Sequence, residues 1–126
     1  INSAEALEKL KDCTKCHFNA PLSFLVCYNK DESWVRKYDG ALSAPVDASI
    51  VATHMLLMAH SLGLGACWVM HFNPEKIKQQ FNLPQNYVPH ALLMLGYPDK
   101  DSVPLPLHNE VRPINEVVFY NNFKND

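Results

Sequence analysis

The stretch PVDASIVATHMLLMAHSLGLGACWVM, residues 45–70, decides the fold of this chain. Pro45 suits the first turn of a helix, and the residues after it leave almost no polar face, which predicts a buried helix over residues 46–62. Gly63 ends that helix as a C-cap, and the apolar run at residues 66–70 predicts a strand. A helix buried on nearly all sides lies between a sheet and a second layer, and a partner subunit is one candidate for that layer.

Further elements are predicted on both sides of this unit. Apolar runs predict strands at residues 22–28 and 91–95. Helices are predicted from Asn2 or Ser3 to about Lys11 and over residues 74–81, with loop or short helix at residues 32–44. The proline-rich residues 103–113 should be extended and irregular, and residues 117–120 a strand or a helix turn. Together these elements predict a single α/β domain over residues 1–126.

The composition excludes several classes of protein. The 126 residues contain 11 Lys plus Arg against 13 Asp plus Glu, so a net charge of -2 offers no basic surface to nucleic acid or an anionic membrane. The longest apolar stretch, residues 50–62, is interrupted by Thr53, His54 and His60 and is too short to span a bilayer. Four cysteines in a chain of this length fit reduced thiols better than a disulfide framework, so we expect a cytoplasmic protein.

The string Cys13-Thr14-Lys15-Cys16-His17 has several interpretations. Its spacing matches c-type haem attachment, in which two thiols bond the vinyl groups and the histidine binds iron. A thioredoxin-like site would need the cysteines at the start of a helix that follows a strand, whereas here they follow a helix. A zinc site would need a fourth ligand at a familiar spacing, which the neighbouring sequence lacks. We favour two unrelated thiols at the end of a helix.

Other familiar motifs are missing from the sequence. Gly63-Leu64-Gly65 follows a helix instead of a strand and lacks the third glycine of the dinucleotide fingerprint. The six histidines include no His-Glu-x-x-His pair, and no Gly-x-Ser-x-Gly elbow occurs. We therefore predict neither a metal site nor nucleophilic hydrolysis.

Several short motifs follow one another in a fixed order along the chain. They are Asp47, HSLGLGACWV (60–69), FNPE (72–75), FNLP (81–84) and HALLMLGYP (90–98), with FNAP (18–21) before them and VRPINEVV (111–118) after them. Each motif by itself is weak evidence for any family. Their order and spacing strongly resemble the FMN-dependent nitroreductase family, and the resemblance covers nearly the whole chain.

The resemblance implies a nitroreductase fold, a central mixed sheet flanked by helices, in an intertwined homodimer with FMN at the interface. It implies an NAD(P)H oxidoreductase that reduces nitroaromatics, quinones or related acceptors by ping-pong hydride transfer, with no catalytic side chain because the flavin carries the chemistry. By similarity, the segment from Cys67 passes along the isoalloxazine, with Trp68 and Val69 packing against it and Met70 and His71 contacting it through backbone amides. Arg112 matches the family's C-terminal arginine that grips the FMN phosphate.

Two departures from the family pattern bear on these expectations. Many members carry a glycine or an acidic residue where this chain has Met70 and His71, so the backbone rather than the side chains should make those contacts. The family's Arg-Ser-x-Arg and Pro-Ser-x-x-Asn-x-Gln-Pro-Trp segments are absent from the 126 residues. We therefore expect the chain to be roughly the C-terminal two-thirds of the family domain, truncated by on the order of 50 to 60 residues, and to bind FMN poorly by itself. The alternatives are a binding module that has lost its cofactor and a c-type haem electron carrier through Cys13, Cys16 and His17.

Overall fold

The computed structural model describes residues 1–123. Three helices and three strands alternate along the chain, joined by loops of different lengths. In order they are α1 (Ala4–Lys11), β1 (Leu22–Asn29), α2 (Ala44–Ser61), β2 (Gly65–Val69), α3 (Pro74–Gln80) and β3 (Tyr87–Gly96), with 3₁₀ turns at Lys30–Glu32, Pro106–His108 and Ile114–Glu116. The predicted α/β class is confirmed.

The three strands form one sheet with the order β1-β3-β2. Both pairs are antiparallel, with Leu22 opposite Leu95 in one and Val69 opposite Leu92 in the other. The prediction of a mixed sheet therefore differs from the sheet found within residues 1–123. The reason is the position of β3: β1 and β2 run in the same direction, but β3 lies between them and is antiparallel to each.

The central strand β3 is longer than predicted because it continues through a proline in its N-terminal half. Pro89 lies opposite Cys27, and the next paired residues are Val26 and Ala91, so His90 is an extra residue at a register shift. Proline cannot donate to a ladder and is tolerated in a central strand mainly at such a bulge.

Hydrophobic residues cover β3 on both faces. One cluster lies between the sheet and α2 and includes Ala52, Leu93 and Leu95. The other lies between the sheet and helices α1 and α3, and includes Leu92 and Met94. The alternation of β3 side chains between the two clusters explains why its sequence is almost continuously apolar.

Helix α2 packs on the sheet through small residues. Its buried positions are all alanines, Ala44, Ala48, Ala52 and Ala59. The prediction that this helix is buried on nearly all sides is wrong for the single chain, because most of its large apolar residues are exposed. These are Val46, Ile50, Val51, Leu57 and Met58, followed by Leu62 just after the helix. Among the helices of the described residues, α2 included, none has the length and hydropathy needed to cross a bilayer.

Every residue from 97 to 123 is exposed, and we call this segment the C-terminal arm. Its extended, irregular course over residues 103–113 was predicted and is confirmed apart from the short 3₁₀ turn at Pro106–His108. The strand or helix turn predicted at residues 117–120 is not found, since the nearest regular element is the turn at Ile114–Glu116. An arm that packs little on its own chain has few contacts that could fix a strand there.

Candidate functional site

The site predicted from the sequence lies where β2 leaves the sheet. Trp68 is paired with Leu93 and faces α2, whereas Cys67 is paired with Met94 and faces the opposite side. The side chain of Val69 is 4% exposed and packs into the core, so its burial does not favour the predicted contact with a flavin ring. Trp68 therefore faces one side of the sheet and Cys67 and Val69 face the other, so these residues do not form one continuous surface.

Met70 and His71 follow the last residue of β2 and lie outside the ladder. Neither backbone N–H donates to an acceptor within residues 1–123, although Phe72 N donates to Met70 O at 3.0 Å. The Met70 side chain is 59% exposed. Two neighbouring N–H groups without a protein acceptor match the needs of a flavin, whose N5 and O4 accept hydrogen bonds. The donor set at this point therefore fits FMN.

An open groove of about 700 Å³ lies beside these two residues. One wall is the loop that follows α1, and the other is the segment between β2 and α3, including Met70 and His71. The walls are joined by hydrogen bonds, since Asn73 N donates to Cys13 O at 2.8 Å and the Thr14 hydroxyl donates to His71 O at 2.6 Å. A ligand in the groove could therefore reach the residues that follow β2. The backbone of these residues is held by the hydrogen bonds to the loop after α1.

A polar and aromatic cluster that the sequence did not reveal surrounds Trp68. The His90 ring is edge-on to Trp68, with centroids 6.1 Å apart, and also to Tyr28, at 6.0 Å. His90 Nε2 lies 2.8 Å from Ser49 Oγ on α2, and that hydroxyl donates to Pro45 O at 2.8 Å. Because a serine hydroxyl has one proton, His90 must donate to Ser49. The only sequence signal for this cluster is Pro89, which precedes His90 at the register shift.

Arg112 lies on the C-terminal arm, and the structure does not pack it against the residues at the end of β2. Its side chain is 76% exposed, and its ionic partner is Glu116, 4.0 Å away. The guanidinium is therefore available to an anion, but the geometry of one chain does not join it to Met70 and His71. Its role as a phosphate ligand stays a prediction.

In the cysteine motif after α1, the two cysteines differ in burial. Cys13 is buried and its thiol contacts Lys9 O at 3.4 Å, and burial, aided by the charge of Asp12, raises the pKa of this thiol. Haem attachment needs two accessible thiols, which a buried Cys13 does not offer. His17 Nδ1 accepts a hydrogen bond from Asn19 N at 3.0 Å. Within residues 1–123 no three metal-ligating side chains converge.

Comparison with known proteins identifies relatives that share both sequence and fold. A solved nitroreductase family protein from Clostridium difficile 630 is 38% identical, with a TM-score of 0.87, and the match covers 98% of this chain and 72% of that one. An FMN-dependent nitroreductase from Clostridium difficile R20291 is 26% identical, with a TM-score of 0.71, covering 98% and 73%.

A curated relative also resembles this chain, but the match covers a smaller share of the relative's own length. A protein of Methanothermobacter thermautotrophicus, provisionally named NADH dehydrogenase/NAD(P)H nitroreductase, is 36% identical over 105 residues. The match covers 78% of this chain and 52% of the relative, so the chain spans about half the length of that protein. A sequence model of the nitroreductase family matches residues 5–97, which is more than half of the 126 residues. The chain therefore belongs to the nitroreductase family.

Proposed function

We propose that this protein is an FMN-dependent oxidoreductase that takes hydride from NAD(P)H and passes it to a nitroaromatic, a quinone or a related acceptor. The two half-reactions alternate at one site, in the ping-pong order. The observation that carries the proposal is the pair of backbone N–H groups at Met70 and His71, which face no acceptor of the described chain and lie beside an open groove. Met70 and His71 come directly after the family motif of residues 60–69, which ends at the last residue of β2.

The residues of this chain bind and orient in this proposal, and they transfer no proton themselves. When bound, FMN supplies the hydride chemistry. The N–H groups of Met70 and His71 would hold the polar edge of the ring, and Trp68, steadied by His90, would lie against it. The exposed guanidinium of Arg112 would hold the phosphate, for which its planar donor set is suited.

A homodimer is part of the proposal because two apolar surfaces are unpartnered in the single chain. The large residues of α2, such as Leu57 and Met58, are exposed, and so are apolar residues along the whole C-terminal arm. Apolar surface of this extent is typical of an interface. A second copy would cover α2, and its arm could bring Arg112 to the site of this chain. Four free cysteines fit a reducing cytoplasm as the compartment.

The test is reconstitution with FMN of the protein expressed from its complete reading frame. We expect flavin absorption bands after gel filtration, bleaching on addition of NADH or NADPH, and recovery of the bands when a quinone or nitroaromatic is added. A protein that takes up no FMN would be the cofactor-less binding module instead. A Soret band would support the haem carrier and would contradict the proposal.

Replacement of Arg112 tests the phosphate contact. Arg112→Ala should weaken FMN binding by about 1.5 to 3 kcal/mol, the scale of a charged hydrogen bond, and leave the folding transition nearly unchanged. Arg36→Ala is the matched control, because Arg36 is an exposed arginine paired with Asp39 on a different loop. Titration of each variant with FMN, followed by fluorescence quenching, gives the dissociation constants. Equal affinity of Arg112→Ala and the parent would remove Arg112 from the site.

A further inference from the structure

We infer that Thr14 is a positioning residue that holds the flavin-contacting backbone at Met70 and His71 in place. The inference rests on the proposed function, and it gives a role to the second residue of the string from Cys13 to His17. Thr14 is 5% exposed and lies on the loop after α1, far in sequence from the segment it contacts. It touches no flavin atom in this proposal and acts through the backbone.

The hydroxyl of Thr14 makes two hydrogen bonds with fixed directions. It accepts from Cys16 N at 2.9 Å and donates its one proton to His71 O at 2.6 Å. The first bond orients the hydroxyl within its own loop, so the second points at a single acceptor. A buried threonine whose hydroxyl both accepts and donates a hydrogen bond has little freedom to rotate about its side-chain bond.

The bond to His71 O completes the restraint of one peptide unit. The carbonyl of the His71–Phe72 peptide accepts from Thr14, and its N–H, that of Phe72, donates to Met70 O at 3.0 Å. A peptide unit held at both ends limits the backbone rotation of the residues just before it. Those residues carry the two free N–H groups of the candidate site, so Thr14 pre-organises donors that FMN would use.

Other contacts hold the two loops together without the Thr14 hydroxyl. Asn73 N donates to Cys13 O at 2.8 Å, and Lys76 Nζ donates to Asp12 O at 3.3 Å. Because these bonds use the backbone of Asp12 and Cys13, they survive a change of the Thr14 side chain. Loss of the hydroxyl should therefore loosen the His71 peptide while the loops stay joined.

The first experiment measures backbone opening in the protein without FMN. Thr14→Val keeps the shape of the side chain and removes the hydroxyl, Thr14→Ser keeps the hydroxyl, and Thr53→Val removes an exposed hydroxyl whose partner is Ser49 O of its own helix. We expect amide hydrogen exchange at Phe72 to become about tenfold faster in Thr14→Val only. Unchanged exchange in that variant would overturn the inference, and so would equal acceleration in Thr14→Ser.

The second experiment measures the midpoint potential of bound FMN in the same variants. The hydrogen bonding of N5 and O4 changes on reduction, because N5 gains a proton and O4 gains electron density, so looser donors should change the ratio of the affinities for reduced and oxidised FMN about tenfold. This corresponds to a shift of the potential by about 30 mV for a two-electron couple. We expect the shift in Thr14→Val, with the potentials of Thr14→Ser and Thr53→Val at the parent value.

The outcomes separate this inference from the proposed function. If the parent binds FMN and the potential of Thr14→Val equals that of the parent, the positioning role is wrong and the proposed function stands. If the parent binds no FMN, both are wrong, even where the exchange result confirms the hydrogen bond. Should Thr14→Val fail to fold, Thr14→Ala against Thr14→Ser repeats the comparison, since both lack the methyl group and differ only in the hydroxyl.

Discussion

Strand β3 and the C-terminal arm are both rich in apolar residues, yet they have opposite environments. Ala91, Leu92 and Leu93 of β3 are fully buried, whereas Val111 and Tyr120 of the arm are almost fully exposed. The difference is the presence of partners: β3 has a strand on each side and a hydrophobic cluster on each face, and every residue of the arm is exposed. Apolar composition therefore does not decide burial, which depends on whether the same chain supplies a complementary surface.

Helix α2 combines both environments in one element. Its alanines face the sheet and belong to the core, and its large side chains, including Leu57 and Met58, face outward like those of the arm. Small residues allow the helix axis to approach the sheet closely, which leaves the long side chains for a surface that this chain does not cover. The predictions below test whether the covered and uncovered surfaces differ as described, starting with the largest effect.

Truncation of a buried leucine should have the largest effect on stability. Leu93→Ala in β3 should lower the free energy of unfolding by roughly 2 to 5 kcal/mol, the usual cost of such a cavity. Val111→Ala in the arm is the control and should change it by less than about 0.5 kcal/mol in the monomer. Chemical denaturation of both variants gives the values. A large loss in Val111→Ala would mean that the arm packs like the core, which would break the comparison.

A charge on the outward face of α2 should disrupt assembly. Leu57 is 63% exposed in the single chain, so Leu57→Asp should cost little there, but in a dimer it would bury an unpaired carboxylate at a cost of several kcal/mol of association. Analytical ultracentrifugation should find a dimer for the parent and for Gln79→Asp, a control on the exposed side of α3, and a monomer for Leu57→Asp. A parent that stays monomeric at micromolar concentration would remove the interface.

The sequence predicts most of the elements of the fold because their signals are local. Ser3 and Asn73 cap helices through their side chains, and Gly63 has the positive φ that ends α2. The pairing of the strands is not local. The sequence around β3 does not indicate that this strand lies between β1 and β2. Nor does it indicate that the strand continues past Pro89 with a bulge at His90.

The candidate site is predictable only where it lies on one stretch of chain. Met70 and His71 come directly from the resemblance to the family and are adjacent in sequence. Thr14 and His90 contact that stretch across the fold, through bonds to His71 O and a ring contact with Trp68, so no spacing rule reveals them. The outward face of α2 was misjudged for a related reason, since a hydrophobic pattern does not state which chain covers it.

The smallest expected effect is an alkaline loss of stability that belongs to the covered core. Burial raises the pKa of the thiols of Cys13 and Cys27 above their ordinary value of 9.0, so the folded protein keeps these protons more tightly than the unfolded chain does. The resulting stabilisation is complete below pH 9 and is lost as the pH rises through the higher folded values. The arm contains no cysteine and should contribute nothing to this loss.

Denaturation curves of the parent and Cys13→Ala between pH 7 and 10.5 measure this contribution. Every other ionisable group is the same in the two proteins, so the difference between the two slopes isolates the Cys13 thiol. We expect Cys13→Ala to be less stable at pH 7, because a buried group is removed, and to lose less additional stability than the parent at alkaline pH. Parallel pH profiles would mean that Cys13 ionises as freely in the folded protein as in the unfolded chain, and the loop after α1 would then be as open to water as the arm.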